Sequence, residues 1–325
     1  MSILSYLNSL SEDAIAKDST TIFLESKHIT FLPNLTKFTK LQTLNCSDNR
    51  LTSLGGLPEN LEIFYGSNNE LYSLPPLPKK LKILNCYNNL LTFLPRLFEN
   101  LQIINCSNNQ IKYLPNLPPN LQIINCYNNK LTSLPILPES LETLNCHKNQ
   151  LISLPTLPEN LRVLNCHNNK LTLLPNLNER LELLYCSNNK LTSLPILSKK
   201  LRVLNCHSNQ LTFLPFLFEQ LDFLYCSNNQ INYLPNLPEK LRILCCSENP
   251  IYNIIHEKDL NEIKQIIKKL NECRHLYYSI KFKKQFKYWL WELIRKPKII
   301  QKFHPNYLIE NLHEDSDLEL VLNSW

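Results

Sequence analysis

Three Asn-Cys-His triplets, at Asn145–His147, Asn165–His167 and Asn205–His207, set a thiol directly beside an imidazole. Cysteine and histidine are common ligands for zinc, and a Cys–His pair can also serve as nucleophile and base. Either chemistry needs the two side chains on the same side of the backbone. The surrounding pattern decides whether they are.

The triplets belong to a 20-residue repeat that opens at Leu41 and returns at every twentieth residue to Leu241, eleven units in all. The consensus reads L-x-x-L-x-C-x-x-N-x-L-T-x-L-P-x-L-P-E-x, and a looser unit carrying Ile22, Leu24, Ile29 and Leu32 precedes it. Places three to seven alternate as a strand does, so places four and six face one side while three, five and seven face the other. Leucines at places 1, 4, 11, 14 and 17 converge with the place-6 side chain on a shared core. A single unit cannot close that core, so units must stack. Cysteine and histidine of one triplet therefore point to opposite faces, and a Cys–His dyad or a tetrahedral zinc site within a triplet is excluded.

The place-6 column consists of Cys46, Cys86, Cys106, Cys126, Cys146, Cys166, Cys186, Cys206, Cys226 and Cys246, with Gly66 as the exception. Parallel thiols about 4.8 Å apart suit strand spacing but not a disulfide, which wants Cβ atoms near ~3.8 Å. We read them as small hydrophobes whose reactivity burial suppresses. His147 and His167 stand one strand spacing apart and could share a weak surface metal. Exposed strand residues are the plainer reading, and no metal or cofactor is expected. Place 9 is asparagine in every unit: Asn49, Asn69, Asn89, Asn109, Asn129, Asn149, Asn169, Asn189, Asn209, Asn229 and Asn249. Its amide suits a turn whose buried backbone groups need partners from neighbouring units.

The pattern L-x-x-L-x-C-x-x-N-x-L resembles the leucine-rich repeat, with cysteine in place of the middle strand leucine. With L-P-x-L-P and the 20-residue length, residues 22–254 are similar to the short repeat class of secreted bacterial effectors. The resemblance and the residues agree on a mainly β solenoid. It has a parallel concave sheet, and proline at place 15 of nine units makes the convex return extended or polyproline-like, not helical. The resemblance further implies that the concave sheet binds a partner.

That face is nearly uncharged. Place 3 is apolar or threonine and includes Phe223; place 5 is asparagine interrupted by Tyr65, Tyr185 and Tyr225; place 7 mixes serine with Tyr87, Tyr127, His147, His167 and His207. Tyrosine and asparagine among apolar anchors is the composition of a protein-binding surface. The expected partner is a host or viral protein, with no small-molecule substrate.

The ends read differently. Residues 1–21 suggest a short helical cap, with Ser11 placed to cap it, over the first open edge. From residue 255 to 325 the spacing turns helical: Ile263, Ile266, Ile267 and Leu270 form one apolar stripe, and Phe282, Phe286, Trp289, Leu290 and Leu293 another. Both stripes are read as core of a small helical module. Nine basic residues stand against Glu292 alone between Arg274 and Lys302, and five acids with no Lys or Arg follow from Phe303. We expect the acidic end and the basic helix to attract each other. A basic helix docking on membrane or nucleic acid through residues 274–302 is the alternative. The last 40 residues, from "FKYWLWELIRKPKII" onward, resemble a C-terminal segment found on proteins of giant DNA viruses of protists.

A net charge of +6 is too small for whole-molecule attraction to nucleic acid. The N-terminus lacks the basic and apolar regions of a signal peptide, and no stretch approaches the roughly 18 apolar residues of a membrane span. An intracellular, reducing compartment is the expectation, which leaves thiols free. Three function classes remain. A non-enzymatic interaction scaffold leads, a tethered structural protein follows, and a ubiquitin ligase of the effector kind comes last. Against the ligase, the tail is too short for that domain, and Cys273 is followed by Arg274 and His275 where a reactive Cys-x-Asp is needed.

Overall fold

The computed structural model describes residues 20–302. Twelve strands of three residues each, β1 (Thr21–Phe23) through β12 (Ile243–Cys245), pair in parallel in strict chain order. From the second strand onward each residue pairs with the one 20 positions later, as Ile83 with Ile103 and Val203 with Phe223. The first step is longer, Thr21 pairing with Thr43, because the leading unit is irregular. The expected N-terminal cap lies outside the described residues except at its last two, where Thr21 opens β1.

The strands stop at place 5, shorter than the alternation over places three to seven suggests. The cause is at place 8, where the backbone turns left-handed in all eleven units, with φ between 51° and 56°. Asparagine tolerates that region better than other side chains except glycine. It fills place 8 in seven units, from Asn68 to Asn228. The turn that follows buries place 9. There Nδ2 of Asn149 donates to the carbonyls of Cys126, Cys146 and His147 at 3.0, 3.1 and 3.2 Å, while its Oδ1 accepts from the Leu131 amide at 3.0 Å. The same four-way junction repeats along the stack, so each asparagine satisfies backbone groups of two adjacent units.

One continuous core runs from Ile22 to Ile267. Leucine or isoleucine at places 1 and 11 and cysteine at place 6 are buried throughout. The return segment is extended and closes on a turn in which the place-1 amide donates to the place-18 carbonyl, as Leu81 to Pro78 at 3.2 Å. Asparagine at place 20 of four units, Asn60, Asn100, Asn120 and Asn160, ties its turn to the one before: Asn100 donates to the Lys79 carbonyl at 2.9 Å and Asn160 to that of Glu139 at 2.8 Å. Where the irregular first unit presses close, proline gives way to Gly55, whose Cβ would stand 2.7 Å from the Asn34 backbone.

The chain divides into two units, Met1–Ile267 and Lys268–Trp325. The first includes a short helix α1 (Tyr252–Ile255) and the opening turns of α2 (Leu260–Trp289). Ile255 and Ile267 are buried, and Ile263 and Ile266 pack against the same core. Helix continues through a π-helical segment, Leu290–Arg295, into α3 (Lys296–Lys302). The second apolar stripe departs from expectation. Phe282, Phe286, Trp289 and Leu293 are 46 to 67% exposed instead of forming a core. The helix runs on without folding back, so the described residues of this unit supply no facing layer. The acidic end expected to attract it lies outside the described residues.

Candidate functional site

The triplets resolve as strand geometry requires. Cys146, Cys166 and Cys206 are fully buried, and the histidines beside them lie on the opposite face. All twelve cysteines are free thiols, and only Cys245 and Cys273 are exposed. Desolvation pushes Cys46, Cys106 and Cys166 up to about 12, and burial with repulsion from the Cys166 thiol raises Cys146 well above the usual thiol range. At neutral pH none of these is a nucleophile. Among the described residues no group of three or more His, Cys, Asp or Glu side chains could hold a metal ion.

On the other face, place 7 forms a row of rings. Tyr87 and Tyr127 have centroids 6.4 Å apart across Ser107; Tyr127 and His147 stand at 4.4 Å, His147 and His167 at 4.3 Å. Contact at strand spacing leaves each of them half-buried by its neighbours. The Asn108 amide donates to the Tyr87 hydroxyl at 2.9 Å, and His167 Nδ1 bonds Asn165 Oδ1 at 2.9 Å. His207 lies two repeats on from His167 and bonds the Ser208 hydroxyl at 3.0 Å. Tyr65, Tyr185 and Tyr225 occupy the place-5 column and Phe223 the place-3 column. Phe223 and Tyr225 share one strand near the C-terminal end and Tyr185 stands two strands before it, across Asn205, with Tyr65 apart from them. The nine candidates thus form a central row, a C-terminal aromatic group and one outlier.

Electrostatics keep this face neutral. Desolvation lowers His147 to about 4, with His167 and Lys148 adding to the effect, and His167 is also lowered, first by desolvation and then by Lys148 and His207. The flanking place-2 column is charged, a feature the outward columns do not announce. Its charges pair along the stack: Lys82 with Glu62 at 2.6 Å, Arg162 with Glu182 at 3.9 Å, and Arg202 and Arg242 with Asp222 at 2.9 and 3.8 Å. A ligand on this face meets aromatic edges, amides and hydroxyls, not a field. The return side of some units also exposes large apolar residues, among them Ile136, Ile196 and Phe216 at 85, 82 and 66%. They interrupt the consensus only at its variable place 16, where no periodic signal marks them.

Residues 40–64 match the family described as Leucine Rich Repeat. No curated protein matches the sequence. Among solved structures, YopM from Yersinia enterocolitica WA-314 is 40% identical with a TM-score of 0.64, over 65% of this chain and 47% of that one, so the chain spans about half its length. YopM from Yersinia pestis, described as a leucine-rich effector protein, is 31% identical with a TM-score of 0.64, over 77% of this chain and 89% of that one. The APL1 leucine-rich repeat domain shares the fold at 22% identity, with a TM-score of 0.64 over 73% of this chain and 70% of its own. A 20-residue parallel solenoid with an asparagine at every turn, matched over most of the length of a relative 31% identical, places this chain in the leucine-rich repeat family.

Proposed function

We propose that the protein is a non-enzymatic scaffold that captures a protein partner on the outward face of its sheet. The observation that carries this reading is the row Tyr87–Tyr127–His147–His167, four rings in sequence on an uncharged face whose flanking charges are spent on one another. Such a face gains affinity by burying aromatic area, not by long-range attraction. The likeness to YopM, an effector protein, supports an interaction role. The ten thiols of the place-6 column are buried on the inward face with their ionisation suppressed, which supports a packing role for them. A reducing compartment belongs to the same reading, supported by a thiol column whose parallel spacing suits packing and not pairing. So does a viral origin, supported by the resemblance of residues 286–325.

The test is affinity capture with the full chain and a variant carrying Tyr87→Glu, Tyr127→Glu and Tyr185→Glu, compared by mass spectrometry. All three positions are half-buried on the outward side, so the variant keeps its inward core. A partner retained by the wild type should be lost by the variant, and adding the purified partner should slow hydrogen exchange in the strands from Ile83 to Tyr185. If the variant retains every partner, the sheet-face reading is wrong.

A further inference from the structure

The second unit carries a surface that the sheet does not use. Between Arg274 and Lys302 nine basic residues stand against one acid, Glu292, and that acid is held by Lys296 at 2.8 Å. On α2, Tyr278, Phe282, Phe286 and Trp289 follow at steps of four, four and three, which is one helix face. All four are about half exposed, between 46 and 59%. Their rings pair face to face: Tyr278 with Phe282 at 5.9 Å and 14° between planes, Phe286 with Trp289 at 5.7 Å and 27°. The helical rotation puts Lys281 on one flank of this stripe and Lys283 on the other. The Lys281 ammonium lies 5.8 Å from the Phe282 ring and 5.6 Å from that of Tyr277, so its stem runs along the aromatic surface.

We propose that this helix lies on an anionic lipid surface, its aromatic stripe among the headgroups and its lysines on lipid phosphates. Charge complementarity and ring geometry select that occupant. Single-stranded nucleic acid needs open ring faces for its bases to stack on. Here each ring has one face turned to its partner in the pair, and the Lys281 ammonium lies over the Phe282 ring as well, which leaves fewer faces for bases. Duplex nucleic acid would engage the lysines and leave the apolar stripe in water. A second copy of the helix would bring two strongly basic faces together. Aromatic side chains flanked by lysine are suited to the boundary between headgroups and acyl chains. No described helix is long and apolar enough to cross a membrane, so the arrangement is one of lying on the surface.

All three tryptophans, Trp289, Trp291 and Trp325, belong to this unit, so tryptophan emission from the full chain reports on it alone. The experiment titrates the full chain with vesicles of phosphatidylcholine, with and without phosphatidylserine, reading emission and co-sedimentation. We expect a blue shift and sedimentation only with the anionic vesicles, weakening as salt is raised. The variant Lys281→Gln, Lys283→Gln, Lys287→Gln, which keeps helix-forming side chains, should bind roughly a hundredfold more weakly. Phe282→Ser with Phe286→Ser should lose at least about tenfold while keeping its salt dependence. The proposal is overturned if anionic vesicles give no shift, if neutral vesicles bind equally, if the lysine variant binds unchanged, or if a single-stranded oligonucleotide displaces the vesicles with quenched emission.

Discussion

Phe64 and Gly66 occupy each other's space. Unit by unit, place 4 is leucine or isoleucine and place 6 is cysteine, except here, where a larger side chain meets a missing one. A Cβ at Gly66 would lie 2.6 Å from the Phe64 ring, and Phe64 is fully buried. The ring thus fills the volume a thiol fills elsewhere. Gly66→Cys alone overpacks the core and should cost about 1–3 kcal/mol. Phe64→Leu alone leaves a void and should cost about 1–2 kcal/mol. Together they rebuild the standard unit, so the double variant should return to within about 0.5 kcal/mol of wild type. Urea unfolding of the four proteins measures this, and additive losses would refute the compensation. Either residue read alone in the sequence is only a deviation from consensus. Their complementarity appears when the fold sets places 4 and 6 side by side on one face.

At the scale of the sheet, the place-7 row behaves as one body. Its residues are legible in the sequence, because period 20 and strand alternation assign them to the outward face. Their contact is not, since it depends on which way each ring leans along the stack. That lean half-buries His147 and, with His167 and Lys148, brings it down from an ordinary 6.5 to about 4. The folded state therefore binds a proton later than the unfolded chain as pH falls. Stability from this group is complete above about 6.5 and is lost as pH falls toward 4. His147→Tyr keeps a ring in the row and removes the titration. Between pH 7 and pH 4.5 the wild type should lose more of its urea midpoint than the variant, and equal losses would refute the assignment. Below the sheet, the left-handed φ at place 8 has a visible trace in the Asn-Asn pairs at places 8 and 9, although the two asparagines do different work. The first takes a backbone shape and the second binds backbone across units.

At the scale of the molecule, each repeat touches only its neighbours, so stability is a sum of nearest-neighbour steps. Asn149 stands in the middle of the ladder and serves the backbone of two units. Asn149→Ala strands the buried Leu131 amide and removes one of the two asparagine donors from each of the Cys126 and Cys146 carbonyls, which Asn129 and Asn169 still reach, and should cost about 1–3 kcal/mol. Hydrogen exchange should rise in the units on either side while the first and last units keep their protection. Loss of protection along the whole stack would show that the repeats are coupled beyond their neighbours. The C-terminal unit obeys other rules. Its period of four, four and three predicts a helix with an apolar face, and the helix forms, but a stripe in sequence says nothing about what covers it.

By itself, the sequence determined which side chains face inward, how many units stack and in what order, and that no triplet pairs its thiol with its imidazole. These follow from two periods, 20 and 2, which leave a repeated chain one way to bury its leucines. The tertiary structure alone decided what adjacency creates. It set the fit of Phe64 into the space above Gly66, the ring contacts that keep His147 neutral, and the pairing of flank charges. It also left the C-terminal aromatic stripe exposed. These depend on distances between side chains in different units, and a periodicity fixes directions without fixing distances.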